Sequence, residues 1–176
     1  LIAALKKEND TLKDRISSVS YYSYLLSPDA KCEKVNSSLM DLADMVLQPM
    51  GKDVLLDFGL VDEVYGDVNL LCRALTEVVK NAFEYASGKN PPVWSAEVDA
   101  EKDMLVLRIT NEGFLPSPRP QFFEPWARGD ASRTAGGSGL GLPIAYQIMD
   151  LHGGLITIDE MDGEVSVVLR LPRKPQ

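Results

Sequence analysis

Between Gly113 and Leu140 the chain runs for 28 residues with no helical or strand period, in a stretch rich in Gly, Pro, Arg and Ser. Dense apolar patterning flanks it on both sides. A compact domain rarely carries so long an irregular connection unless the loop has work to do, and lids over binding sites are the usual case. The rest of the fold must therefore be a rigid frame around one large loop. Hydrophobic residues make up 45% of the 176, which is enough for a true core and argues against wholesale disorder. The formal net charge of −8 excludes nucleic acid as the main partner, because an acidic surface offers phosphate backbones no attraction. A small anion in a local pocket is not excluded. Cys32 and Cys72 form no CxxC pair, and a single histidine cannot complete a zinc cluster, so two free thiols of a reducing cytoplasm are expected.

Residues 1–26 read as one helix. Leu5, Leu12, Val19 and Leu26 recur every seven residues, with Ile2, Asn9, Ile16 and Ser23 on the other seam position. That pattern suits a parallel two-stranded coiled coil with a register-fixing Asn, or equally a helix of a bundle. Either stripe needs a partner helix, so a homodimer through residues 1–26 is expected. No apolar run reaches transmembrane length, and the chain opens inside a helical pattern, as a piece of something longer would. Ser27-Pro28-Asp29 ends the helix, and a polar linker runs to about Lys34. Residues 1–30 are read as a dimerisation stub and 31–176 as the main domain. Further helices are expected at 37–48, 67–86 and 143–151. Strands are expected at 54–58, 93–98 and 104–110, and 155–159 pairs with 165–171 as a hairpin around Asp162-Gly163. The alternation predicts an α/β two-layer sandwich, a mixed sheet with helices on one face.

Four short segments carry chemistry. On the long helix, Leu71, Leu75, Val78, Val79, Ala82 and Ala86 share an apolar face, while Glu77, Asn81 and Tyr85 step by four on the other side with Glu84 beside them. A carboxylate and an amide oxygen one turn apart can both reach Mg²⁺, which prefers oxygen ligands. Next, Asn111-Glu112-Gly113 stands at a strand end, where the amide can accept from an exocyclic amine. Then Phe122-Phe123-Glu124-Pro125-Trp126 offers aromatic anchors, followed by Arg128 and Arg133, which can reach phosphate oxygens. Last, Gly136-Gly137-Ser138-Gly139-Leu140-Gly141-Leu142-Pro143 leads into a helix. Glycine amides at a helix N-terminus make an anion site, because unpaired N–H groups and the helix dipole point the same way. This is not a Walker A loop, since no Gly-Lys-Ser/Thr follows.

Taken singly, each segment has a bland reading: a solvated helix face, an ordinary turn, a basic loop, a hinge. Their order and spacing together resemble the GHKL ATPase superfamily with its Bergerat fold, and within it the catalytic domain of sensor histidine kinases. Asn81 and its helix resemble the N box, Asn111-Glu112-Gly113 the G1 box, Phe123-Glu124-Pro125-Trp126 the F box, and Gly137 to Leu142 the G2 box. The resemblance implies ATP and Mg²⁺ as cofactors. Asn81 would bind the metal, with Glu77 supporting the ion or its water. Tyr85 would pack beside the nucleotide, and Asn111, where the family usually has Asp, would read the adenine amine beside Gly113. Gly137, Gly139 and Gly141, with Leu140 between them, would cradle the phosphates, and Arg128 would approach the γ-phosphate from a lid over 127–140. It also implies a phosphoacceptor helix of the same or a partner kinase chain, a response regulator, and a cytoplasmic location in a parent of a kind often anchored to the membrane.

Three departures accompany the resemblance. Phe114-Leu115-Pro116 follows Gly113 at once, which shortens the G1 segment. Glu84 stands where many members carry Lys or Arg, and its repulsion of a phosphate is on the order of a few kcal/mol unless Lys80 or a second metal offsets it. The only histidine is His152, in a His-Gly-Gly segment at a helix end and expected to be structural, and no phosphoacceptor histidine lies in residues 1–26. The alternatives are a pseudokinase used as an interaction module, favoured by Glu84 and the short G1 segment, and an anti-sigma-type kinase of the same superfamily.

Overall fold

The computed structural model describes residues 2–117, 121–126 and 138–174. Helix α1 (Ile2–Leu25) comes first, then strand β1 (Val35–Ser38) and helix α2 (Leu39–Leu47), closed by a 3-10 turn at Gln48–Met50. Strands β2 (Leu55–Asp57) and β3 (Glu63–Gly66) precede the long helix α3 (Val68–Glu84). Strands β4 (Val93–Asp99) and β5 (Met104–Glu112), helix α4 (Gly141–Leu151) and the hairpin β6 (Leu155–Met161) and β7 (Glu164–Pro172) complete it. The main sheet has the order β2-β4-β5-β7-β6, parallel between β2 and β4 and antiparallel elsewhere. A separate antiparallel pair joins β1 to β3. This is the expected two-layer sandwich, a mixed sheet with helices over one face.

The register explains which face is covered. Trp94, Ile109, Val167 and Ile158 align across four strands, as do Ala96, Leu107, Leu169 and Ile156. These rows belong to one apolar cluster with Leu71, Leu75, Val78 and Val79 of α3 and Ile144 and Ile148 of α4. Ser95, Arg108, Thr157 and Ser166 occupy the alternate positions and give the other face its polarity. Asn111 falls on the core-facing side at the end of β5, opposite Val165.

Each helix starts for a local reason. Ser38 caps α2 by accepting from the Asp41 N–H at 3.1 Å. Asp67 caps α3, its Oδ1 accepting from the Asn69 and Leu70 amides at 3.1 Å each. The Asp162-Gly163 turn takes positive φ at both residues (52° and 81°), the geometry that the dipeptide predicts. The β1–β3 pair is an element that the sequence does not announce, because only Val64 and Gly66 of its eight residues are buried and no alternation builds up. Helix α3 stops at Glu84 rather than at residue 86, because the chain turns away so that the Ser87 amide can donate to the Glu112 carbonyl at 2.9 Å.

His152 ties these elements together. It is 1% exposed. Its Nδ1 donates to the Ile148 carbonyl at 2.7 Å, and its Nε2 accepts from the Asp67 amide at 2.9 Å, so the end of α4 is bolted to the start of α3. The linker joins the same knot: Lys34 Nζ donates to the His152 carbonyl at 2.9 Å and the Glu33 amide to Asp67 Oδ2 at 3.0 Å. The expected structural role of this histidine holds.

Helix α1 has two faces. Tyr21, Tyr22 and Leu25 pack against the domain core. The heptad residues Ile2, Leu5, Leu12, Ile16, Val19 and Leu26 are all exposed, Ile2 to 83%. Among the described residues no helix is long and apolar enough to cross a membrane.

Candidate functional site

Helix α3 sits with its apolar face on the sheet, and this packing turns its polar stripe toward a cavity of about 1100 Å³. Glu77, Asn81 and Tyr85 line one wall, with Lys80 and Glu84 beside them. Tyr85 is the C-cap residue, its N–H still donating to the Asn81 carbonyl at 3.0 Å. Opposite, Ser138, Gly139 and Gly141 bring the start of α4 to the same space. The apolar side chains of Ile158, Val165 and Val167 form its floor, and Asn111 stands at their edge. This volume is ample for a nucleotide-sized ligand.

Glu77 and the glycine segment touch. A Cβ at Gly141 would lie 2.9 Å from Glu77 Oε2, so the glycine lets α4 begin beside the carboxylate without moving it. Oε1 of the same carboxylate is 2.9 Å from Arg73 Nη2 and 3.8 Å from Lys80 Nζ. Gly141→Ala is expected to keep the fold, since the obstructing atom is the end of a flexible side chain. It should swing the carboxylate aside and weaken nucleotide affinity about tenfold, or about 1.4 kcal/mol. Unaltered affinity, measured by calorimetry, would mean that Glu77 plays no part in binding.

The start of α4 is open. Its N-cap, Leu140, offers no side-chain cap, and Pro143 has no N–H. The Ile144 amide donates to the Leu140 carbonyl at 2.9 Å, which leaves the Gly141 and Leu142 amides without an intrahelical acceptor. Gly139 adopts φ +73°, a left-handed conformation that glycine takes freely. Leu140 itself is fully buried, so only its backbone is near the site.

The far end of the cavity is stitched to β5. Asn111 is 8% exposed, and its Nδ2 donates to the Glu112 carbonyl at 3.1 Å, leaving Oδ1 as the acceptor for a ligand. Gly113 stands behind that wall. A Cβ there would meet the Tyr85 carbonyl at 3.1 Å, so the glycine allows the end of α3 to pass close to β5. Glu112 pins the same crossing by accepting from Asn90 Nδ2 at 2.5 Å.

The aromatic segment anchors one end of the long loop. Phe123 packs on Tyr146 of α4 with ring centroids 5.7 Å apart. The Trp126 amide donates to the Gly139 carbonyl at 3.1 Å, and Trp126 takes φ +67°, an unusual conformation for a bulky residue. Trp126 and Gly139, 13 positions apart in the chain, are thereby joined. Arg128 and Gly137, with most of the expected lid, lie outside the described residues.

Of the remaining expected residues, Glu77, Asn81, Tyr85, Asn111, Gly139 and Gly141 meet around one cavity, whereas Gly113 and Leu140 support it from behind. Two contributors escape a reading of the sequence alone. Arg73 continues the four-residue stripe one turn before Glu77, a signal that extending the same spacing would have found. The inward face of α1 (Thr11, Asp14, Arg15, Ser18 and Tyr21) also lines the cavity, and no heptad argument points to it.

A two-layer sandwich thus sets an oxygen-donor stripe opposite an open helix N-terminus. Residues 66–175 match the family described as histidine kinase-, DNA gyrase B- and HSP90-like ATPase, and the chain belongs to that family. It is 29% identical over 154 residues to the sensor histidine kinase CpxA of Escherichia coli (strain K12), an alignment covering 84% of this chain and 33% of CpxA. The chain thus spans about a third of that relative. Its structure resembles the catalytic domain of histidine kinase ThkA, with TM-score 0.66 and 25% identity, covering 80% of this chain and 96% of that one. It also matches the fold of full-length ShkA, solved in complex with AMPPNP, with TM-score 0.79 and 16% identity over 97% of this chain and 38% of that one.

Proposed function

We propose that this chain is the Mg-ATP-binding catalytic domain of a two-component sensor histidine kinase. The reaction is transfer of the γ-phosphoryl group to a histidine on another segment, which in turn supplies a response regulator. The observation that carries this reading is the meeting of Glu77 and Asn81, Asn111, and the open start of α4 around one cavity. His152 cannot be the acceptor, because it is buried and both ring nitrogens are engaged.

The donor set fits Mg²⁺. A carboxylate and an amide oxygen are hard ligands one turn apart, and the cavity leaves room for the waters that this ion retains. When bound, the metal neutralises phosphate charge. The chain's own residues would position the nucleotide: Asn111 Oδ1 accepts from the adenine amine, Tyr85 packs beside the base, and the Gly141 and Leu142 amides face the phosphates. Arg128 would add charge from the lid. Phosphoryl transfer needs mainly such positioning and charge compensation.

Calorimetric titration with ATP, with and without Mg²⁺, tests the reading. Micromolar to sub-millimolar affinity that strengthens with Mg²⁺ is expected, and no heat at millimolar ATP would leave the pseudokinase alternative. Glu84 lines the same cavity, so Glu84→Lys should tighten ATP binding several-fold by removing a repelling charge. Equal or weaker binding would place its carboxylate away from the phosphates.

Residues 1–30 act in this proposal as the dimerisation segment. The exposed heptad face of α1 supports pairing with a second copy. Sedimentation of the whole chain should give a dimer that Leu12→Glu converts to monomer, and a monomeric wild type at tens of micromolar would refute the pairing.

A further inference from the structure

Tyr21 of α1 and Glu77 of α3 hold the same guanidinium. Arg73 Cζ lies 5.5 Å from the centroid of the Tyr21 ring, a cation–π contact. On its other side Arg73 Nη2 is 2.9 Å from Glu77 Oε1. The Arg73 Nε is buried and has no hydrogen-bond partner among the described residues. The guanidinium is thus held by one charge-assisted bond and one aromatic face, with its Nε left unsatisfied. All three residues line the cavity that contains Asn81. Tyr21 is also packed on the domain core, and burial pushes its phenol up, so the ring stays neutral and its contact with Arg73 persists across the working pH range.

We infer that Arg73 is a positioning residue that couples the N-terminal helix to the metal-nucleotide site, because Tyr21 and the bound cation make opposing claims on the Arg73–Glu77 pair. The inference rests on the reading of Glu77 and Asn81 as Mg²⁺ ligands. With α1 seated, Tyr21 braces Arg73, and Arg73 holds Glu77 Oε1. The Oε2 atom faces Gly141, 2.9 Å from where a Cβ there would lie. A divalent cation at Glu77 and Asn81 draws the carboxylate toward itself and repels the guanidinium. Arg73 then loses the carboxylate that holds it, and Tyr21 loses its cation. Coupling of this kind is reciprocal: loading the site loosens α1, and lifting α1 frees Glu77 for the metal. A signal that shifts the N-terminal helix would thereby reach the metal carboxylate through two side chains.

Hydrogen exchange across residues 14–25 of the full chain reads this coupling directly. Without nucleotide, Arg73→Ala and Glu77→Gln should each raise exchange in that segment several-fold, while Tyr21→Phe, which keeps the ring, should leave it unchanged. An increase with Arg73→Ala but not with Glu77→Gln would show that Arg73 merely packs against α1 and would overturn the relay. No increase in either would do the same. With saturating Mg-ATP, exchange in the wild-type segment should rise, and in Arg73→Ala it should show no further rise. Binding without any change in the wild-type segment would overturn the coupling. A wild type that binds no nucleotide defeats the functional proposal instead, and the nucleotide-free comparison still decides the relay.

Discussion

Asn81→Ala is expected to abolish the Mg²⁺-dependent part of ATP binding, a loss of at least about 100-fold, or about 2.8 kcal/mol, with the fold intact. Asn81 is half-buried on the cavity side of α3, one turn after Glu77, and it is absent from the apolar cluster. Alanine is also the better helix former, so the backbone of α3 gains from the change. The loss should therefore appear in the calorimetric titration and not in the thermal midpoint. ATP affinity measured without Mg²⁺ should be nearly unchanged, which separates loss of a metal ligand from general damage to the pocket. Equal affinities of wild type and variant in Mg²⁺ would remove Asn81 from the site.

The second large effect is on stability. His152→Ala is expected to lower the free energy of unfolding by about 4 kcal/mol, the sum of a lost buried side chain and an orphaned Asp67 amide at the start of α3. The same knot gives the wild type a pH dependence. Burial holds the His152 imidazole below its ordinary value of 6.5. The unfolded chain therefore binds a proton at a pH where the folded chain does not. Stability is complete above 6.5 and falls as pH drops from there toward the lowered folded value. The sequence has one histidine, so no other side chain ordinarily titrates in that window. Chemical denaturation of wild type and His152→Ala across this range should show the slope in the first and its loss in the second. A parallel slope in both would assign it elsewhere. Because His152 fixes where α3 begins, the variant should also soften the position of Glu77 and Asn81, three and four turns downstream.

Much of the site is legible in the sequence because it is local. The stripe Glu77, Asn81, Tyr85 follows from helical spacing, and the glycines before Pro143 announce an open helix start, so their chemistry survives without any knowledge of the fold. Strand identities in β5, β6 and β7 follow from clustered Val, Ile and Leu, and that of β4 from the alternation of Trp94, Ala96 and Val98 with polar residues. The β1–β3 pair is not legible, because four-residue strands with so few buried positions leave no period. Neither is the role of Gly113, whose missing Cβ makes room for the Tyr85 carbonyl 28 residues earlier in the chain.

Sequence alone, then, determined the layer architecture, the polar stripe of α3, the open start of α4 and the heptad face of α1. All of these depend on periodicity or on the backbone preferences of single residues. Only the tertiary structure decided that Gly141 meets Glu77, that His152 joins α4 to α3, and that Tyr21 reaches Arg73. Those contacts join residues 52 to 85 positions apart, and no local preference encodes them. They arise because helices seated on one sheet must share a single buried face, and packing that face fixes which polar edges meet.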